Sequence, residues 1–289
     1  MASLSSQSLQ IYRRHLRELA QFTQSMHQGW EFLPCQPDVL VLHIQDLFQS
    51  GMAAASIRSR VAAIGFWHKT CRLPDPSRDW LVKRALMGVS KIRPQKDARH
   101  PITVANLLAL VQAAASFPDL HTAVMLRALF AMMFFAFLRI SEVTQGPHNI
   151  CIHQVKFCKS QVKVSFTSFK SSLGRTPVVC VFKQKGQMCP HKLLWQYRAL
   201  RGDRQGPFFV TSKGEPLPSS LVNACLAICV AQAGLNHLHI TSHSFRIGAA
   251  SWAVAHGHSV EQVKAMGRWR SDAVNKYVRI ASIRVGDNP

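Results

Sequence analysis

The stretch that decides the reading runs from Ile240 to Ser251, "ITSHSFRIGAAS", and resumes at Met266 as "MGRWRSDAVNKYVR". His243 and Arg246 stand three residues apart, so a helix places both on one face. Trp269 and Tyr277 follow within the next thirty or so residues. Tyrosine is a weak nucleophile near neutrality, its phenol having a pKa of roughly 10. It can attack a phosphodiester when a proton acceptor, a proton donor and cationic clamps surround the phosphate. The chain holds three tyrosines, Tyr12, Tyr197 and Tyr277, and only Tyr277 comes after such a constellation.

Working outward, the charge balance names the kind of partner. Thirty-five Lys and Arg face 14 Asp and Glu, a formal net charge of +21. Such an excess implies a polyanion, most simply nucleic acid. Residues 1–99 carry 14 basic and 7 acidic residues and residues 100–289 carry 21 and 7, so both halves are basic. No acidic residue lies between Glu142 and Asp203, where Lys156, Lys159, Lys163, Lys170, Arg175, Lys183 and Lys185 crowd together. A run this one-sided suits phosphate. The longest apolar run, Ala128–Leu138, is too short to span a bilayer, and no membrane partner is expected. The N-terminus lacks the pattern of a signal peptide. Eight cysteines occur without a CxxC pair, which predicts reduced thiols and neither metal nor cofactor.

Apolar residues at three- and four-residue spacing predict four helices in the first hundred residues: 9–26, 38–51, 52–70 and within 77–92. Pro34, Pro37, Gly51, Pro74 and Pro76 punctuate them. The polar, basic stretch "RPQKDARHPIT" reads as a linker, with a domain boundary near residues 96–99. Beyond it a helix capped by Thr103 is expected, then a long apolar helix from about Leu120 into Leu138. Alternation in "VKVSFTSF" and "RTPVVCVF" predicts a hairpin with Gly174 in its turn region. Helical signals return at 219–234, 244–257, 259–267 and 271–280, with Ser259 and Gln262 as a capping box and Gly267 as a stop.

In "MMFFAFLRISEVTQ", Arg139 ends the apolar run and Glu142 follows three residues later. "FLRISEV", "HSFR" and "GRWRSDAVNKYVR", in this order, resemble the signature of the tyrosine recombinase, or phage integrase, family. "IYRRHLRELAQF" and "SIRSRVAAIGFWHK" are similar to that family's helical core-binding domain, and "RHPIT" to the start of its catalytic domain. "GRWRSDAVNKYVR" is most similar to the recombinases of DIRS-like and Crypton-type eukaryotic mobile elements. The step from Trp269 to Tyr277 is eight residues, one shorter than in many phage and bacterial members.

The resemblance implies a mainly α fold with a small antiparallel sheet: a helical DNA-binding bundle over 1–96 and a catalytic domain over 97–289. It implies a site-specific recombinase that cleaves and rejoins strands through a 3′-phosphotyrosyl link. Arg139 and Arg246 match the family's paired arginines, whose planar forks suit the non-bridging oxygens. Tyr277 matches the nucleophile and His243 the residue that handles its proton. Trp269 matches a hydrogen-bond donor, Lys170 the general acid, and Glu142 an acidic residue that orients the site. The bundle's Arg58, Arg60, Lys83, Arg84 and Lys91, with Lys163 and Arg175 of the hairpin, are candidates for DNA contact. Duplex DNA is the expected partner, with four protomers for strand exchange, and a eukaryotic source would place the protein in the nucleus. Two other readings fit the same residues: a catalytically silent, domesticated DNA-binding protein, and a tyrosine-type nicking and resealing enzyme akin to a topoisomerase.

Overall fold

The computed structural model describes residues 4, 6–26, 31–94, 97–167, 177–269, 274, 275, 277 and 278. It divides into two compact units, Met1–Asp97 and Ala98–Pro289, and the division falls inside the polar "RPQKDARHPIT" stretch.

The first unit is a bundle of α1 (Ser6–Ser25), α2 (Pro37–Gln49), α3 (Ala54–Thr70) and α4 (Trp80–Ile92), with a 3₁₀ turn at Pro76–Arg78. Helical periodicity puts Leu19, Leu40, Ile44, Ile57, Val61, Ile64 and Val82 on inward faces, where they are buried together. Asp79 caps α4 by accepting from the Leu81 amide at 2.7 Å. His68 is buried too, and its ring is fixed at both nitrogens: it receives the Cys35 amide at 2.8 Å and contacts the Ile64 carbonyl at 2.8 Å. His43 is buried beside the Phe22 ring, centroids 4.8 Å apart, and neither of its ring nitrogens has a hydrogen-bond partner among the described residues.

The second unit is built around α6 (Leu120–Phe135), whose residues from Ala128 to Phe134 are all buried. A helix apolar on every side has to be enclosed. It packs against α5 (Val104–Ala114), α8 (Pro190–Arg201) and α10 (Ser244–Ala255), and Phe130 stacks on Phe245 of α10 at 5.3 Å. Thr103 caps α5 through the Asn106 amide, as its sequence predicts. Among the described residues the remaining helices are the short α7 (Ile140–Val143), α9 (Ser219–Gln232) and α11 (Val260–Met266). Ser259 and Gln262 exchange the two bonds of a capping box at the start of α11, and Gly267 ends it.

The sheet has three antiparallel strands in the order β1-β2-β3: Val155–Phe157, Gln161–Ser165 and Val178–Phe182. Val164 pairs with Val179 and Lys163 with Cys180, which sends Val162 and Val164 into the core and leaves Lys163 partly exposed. The sequence predicted the last two strands as a hairpin. It missed β1, which at three residues is too short to show a period, and it missed α8. The hairpin connection, including Lys170, Gly174 and Arg175, lies outside the described residues. The helix expected over 271–280 is described only in part: the Tyr277 and Val278 amides both bond the Val274 carbonyl, a single helical turn. Among the described residues no helix is long and apolar enough to cross a membrane.

Glycine holds two close approaches open. A Cβ on Gly248 of α10 would lie 2.0 Å from the Ile102 carbonyl oxygen, so the helix rests directly on the backbone leading into the second unit. A Cβ on Gly267 would lie 1.5 Å from the Trp269 ring. The backbone at Gly267 is otherwise ordinary, so the ring is what requires glycine there.

Candidate active site

The C-terminal end of α6 delivers the first cation. After Phe135 the chain turns through Phe137, whose φ of 53° is left-handed, and Arg139 becomes the residue preceding α7. The Arg139 amide donates to Glu142 Oε2 at 2.8 Å, closing the short helix. The Arg139 side chain donates to Glu142 Oε1 at 3.2 Å and keeps 19% of its surface exposed. One carboxylate therefore fixes both the backbone and the guanidinium of Arg139, while the guanidinium remains accessible.

Arg246 rises from the first turn of α10 and is fully buried. It donates to the carbonyls of Phe137 and Gly267. Its Cζ lies 4.0 Å from the Trp269 ring centroid and 5.9 Å from that of Tyr277. Burial, followed by the neighbouring Arg139 and Arg268, pushes its pKa down, opposed by Glu142 and Tyr277. A guanidinium nonetheless starts so high that it stays charged at neutral pH. The result is a cation held against carbonyls and rings, with no carboxylate hydrogen-bonded to it among the described residues, a suitable counterpart for an incoming anion.

His243 precedes α10 and faces Tyr277, ring centroids 5.1 Å apart. Trp269 faces the same ring at 5.0 Å and Phe137 edge-on at 6.3 Å. The Trp269 indole N–H is buried and has no hydrogen-bond partner among the described residues. Tyr277 is partly exposed, and its carbonyl accepts from the Ser251 hydroxyl at 3.2 Å, tying the turn to α10. Six of the seven residues read from the sequence as catalytic thus converge: Arg139, Glu142, His243, Arg246, Trp269 and Tyr277. Lys170, the seventh, lies outside the described residues.

The other tyrosines differ in kind. Tyr197 is fully buried in α8, its hydroxyl accepting from the Val210 amide at 3.0 Å, and burial pushes its pKa up to about 12. Tyr12 packs on Phe66 within the first unit.

Arg268 was not read from the sequence as part of the site. It is the residue nine before Tyr277, yet its side chain, 2% exposed, turns inward to donate to Glu142 Oε2 at 2.8 Å. Its only sequence signal is that spacing.

The candidate DNA contacts fall into groups. Arg58, Lys83, Arg84 and Lys91 are exposed on α3 and α4. Arg58 also donates to Ser90 at 2.5 Å, and Arg84 lies 5.2 Å from the Trp80 ring. Arg60 is ion-paired with Glu18 at 2.8 Å and its side chain is 14% exposed, so its guanidinium already has a carboxylate. Lys163 stands on β2, and Arg175 lies outside the described residues.

The model of the phage integrase family matches residues 101–282, nearly two thirds of the chain. Among curated proteins none matches by sequence. Among solved structures, the Tn1549 transposon integrase in complex with transposon right end DNA aligns at a TM-score of 0.69 with 12% identity, over 97% of this chain and 92% of that one. A lambda integrase dimer bound to a COC′ core site aligns at 0.64 with 13% identity, over 99% and 93%. XerA recombinase aligns at 0.51 with 15% identity, over 96% and 89%. At such identities the structures speak for the fold, and the family match carries the assignment: the chain belongs to the phage integrase family, the tyrosine recombinases.

Proposed function

We propose that the chain is a site-specific DNA recombinase that cleaves and rejoins strands with Tyr277 as nucleophile. The observation that carries this reading is the grouping around one partly exposed tyrosine ring: His243 at 5.1 Å, Trp269 at 5.0 Å and Arg246 at 5.9 Å. Arg139 is held near Arg246 by Glu142.

In the proposed reaction the Tyr277 oxygen attacks the scissile phosphorus as its proton passes to His243. The bond from phosphorus to the 5′-oxygen breaks, and that oxygen leaves as a hydroxyl after taking a proton from Lys170. The product is a 3′-phosphotyrosyl link, which a 5′-hydroxyl reverses in the joining step. Arg139 and Arg246 neutralise the non-bridging oxygens through planar forks, the main demand of phosphoryl transfer. The Trp269 N–H, buried and without a hydrogen-bond partner among the described residues, donates to the same phosphate.

Arg58, Lys83, Arg84 and Lys91 supply backbone contacts from the first unit, while Arg60 stays with Glu18. We further propose assembly of several protomers on DNA. This is supported by structural relatives: lambda integrase is seen as a dimer bound to a core site and as a tetramer bound to a Holliday junction. The motif "GRWRSDAVNKYVR" supports an origin in a DIRS-like or Crypton-type mobile element and, with it, action in a nucleus.

The test is to incubate the full chain with end-labelled duplexes covering the genomic DNA that flanks its gene. A recombinase yields a protein–DNA adduct that survives detergent, and strands exchanged between two duplexes. Adduct without exchange would favour nicking and resealing alone. Binding with neither would indicate a catalytically silent DNA-binding protein.

A further inference from the structure

Arg268 is the buried cation that the proposed reaction leaves unused. Its φ of 55° is left-handed, a conformation a residue with a side chain seldom adopts without compensation. That turn sends the side chain of Arg268 inward while its neighbour Trp269 folds back over Arg246. The guanidinium donates to Glu142 Oε2 at 2.8 Å and to the carbonyl of Ala136 at 3.2 Å, with longer contacts to those of Phe137 and Met266 at 3.4 Å. Its Cζ lies 3.9 Å from the Phe166 ring centroid.

Glu142 is 1% exposed and serves three donors: the Arg139 amide and Arg268 at one oxygen, the Arg139 side chain at the other. A buried ion pair seldom adds net stability over apolar residues of the same size. What it adds here is direction. Two guanidiniums share one carboxylate, so the orientation of Glu142, and through it that of Arg139, depends on a fork rooted in the Gly267–Trp269 turn. The same turn carries the Gly267 carbonyl that receives Arg246.

From this geometry we infer that Arg268 is a positioning residue for DNA cleavage, holding Glu142 so that Arg139 meets the scissile phosphate while Arg268 itself never touches DNA. The inference rests on the proposed role of Arg139 as a phosphate clamp, and the experiment separates the two.

Single-turnover cleavage is measured for wild type, Arg139→Ala, Arg268→Lys and the double variant, on duplexes carrying the site defined by adduct mapping. A second substrate replaces one non-bridging oxygen of the scissile phosphate by methyl, in each stereoisomer. The methyl removes the negative charge a guanidinium neutralises, so loss of a clamp matters less there. Lysine keeps the charge of Arg268 but not its fork. We expect Arg268→Lys to bind DNA as wild type does and to cleave the ordinary phosphate roughly 100-fold more slowly, the scale of a small misplacement. Its deficit should shrink to a few-fold on at least one methylphosphonate isomer, as should that of Arg139→Ala. Adding Arg268→Lys to Arg139→Ala should slow cleavage no further.

If Arg139→Ala is relieved by the methylphosphonate and Arg268→Lys is not, or if the two losses multiply in the double variant, the positioning role is wrong. If Arg139→Ala is itself not relieved, the clamp reading of Arg139 fails and the inference falls with it. Arg268→Gln serves as a second variant. Should both substitutions abolish the cooperative unfolding transition, Arg268 is a residue of the fold alone and the inference is overturned.

Discussion

The guanidinium of Arg246 lies against the indole of Trp269, Cζ to ring centroid 4.0 Å, and Gly267 leaves the room that this contact needs. A Cβ at residue 267 would sit 1.5 Å from the ring, so Gly267→Ala has to displace Trp269 and with it one wall of the Arg246 site. We expect that variant to bind duplex DNA within a few-fold of wild type and to cleave it roughly 100-fold more slowly. Equilibrium binding beside single-turnover cleavage checks this, and equal losses in both would assign the contact to binding.

Arg246 is also a structural residue, and that separates it from Tyr277. Arg246→Ala leaves the carbonyls of Phe137 and Gly267 without the donor that now serves both. The Phe137 carbonyl keeps only its longer contact from Arg268 at 3.4 Å, so the loss centres on the Gly267 carbonyl and costs about 1–3 kcal/mol. Tyr277→Phe removes only a hydroxyl from a partly exposed ring. Denaturant unfolding of the two variants should show a large loss for the first and almost none for the second, although both abolish cleavage.

How much of this was legible in the sequence follows from what leaves a periodic trace. The bundle helices repeat their apolar residues, and α6 carries the apolar run from Ala128 onward, so both could be read directly. His243 and Arg246 stand one helical turn apart, and Arg139 and Glu142 share a turn. β1 is three residues long and has no room for alternation. In α8, Leu193, Leu194 and Tyr197 keep helical spacing and are buried, a signal that was present but masked by the surrounding basic residues. Arg268, within "GRWR", reads as one more surface cation, and only the left-handed turn turns it inward to Glu142. Arg60 pairs with Glu18, forty-two residues earlier, and nothing local in the sequence shows that partner.

Acid should weaken the N-terminal unit through His43. Burial lowers its pKa from 6.5 to about 4; Asp46 and Glu18 raise it slightly and Arg60 lowers it. The folded state therefore holds the ring neutral, while the unfolded chain takes up a proton as pH falls below about 6.5. The stabilisation is complete above that value and is lost progressively as pH falls towards 4, to the extent of roughly 3 kcal/mol. Urea unfolding of the full chain at pH 7, 5.5 and 4.5 should show this decline, and His43→Leu should flatten it. An identical decline in the variant would place the acid sensitivity elsewhere.

We propose Lys170 as the source of the leaving-group proton. A positioned acid is worth roughly 10²–10⁴-fold in rate. A duplex with sulfur in place of the bridging 5′-oxygen needs no proton on its leaving group. Lys170→Ala should cleave ordinary DNA very slowly and the sulfur substrate at nearly the wild-type rate. Equal impairment on both would make Lys170 a backbone contact and move the search to Lys163 and Arg175.

The most direct measurement is chemical identification of the residue that carries DNA. The detergent-stable adduct would be formed in excess chelator, trimmed with nuclease, digested with protease and sequenced by mass spectrometry. A nucleotide on Tyr277 is expected, with no adduct from Tyr277→Phe. A nucleotide on Tyr12, Tyr197 or any other side chain would contradict Tyr277 as the nucleophile.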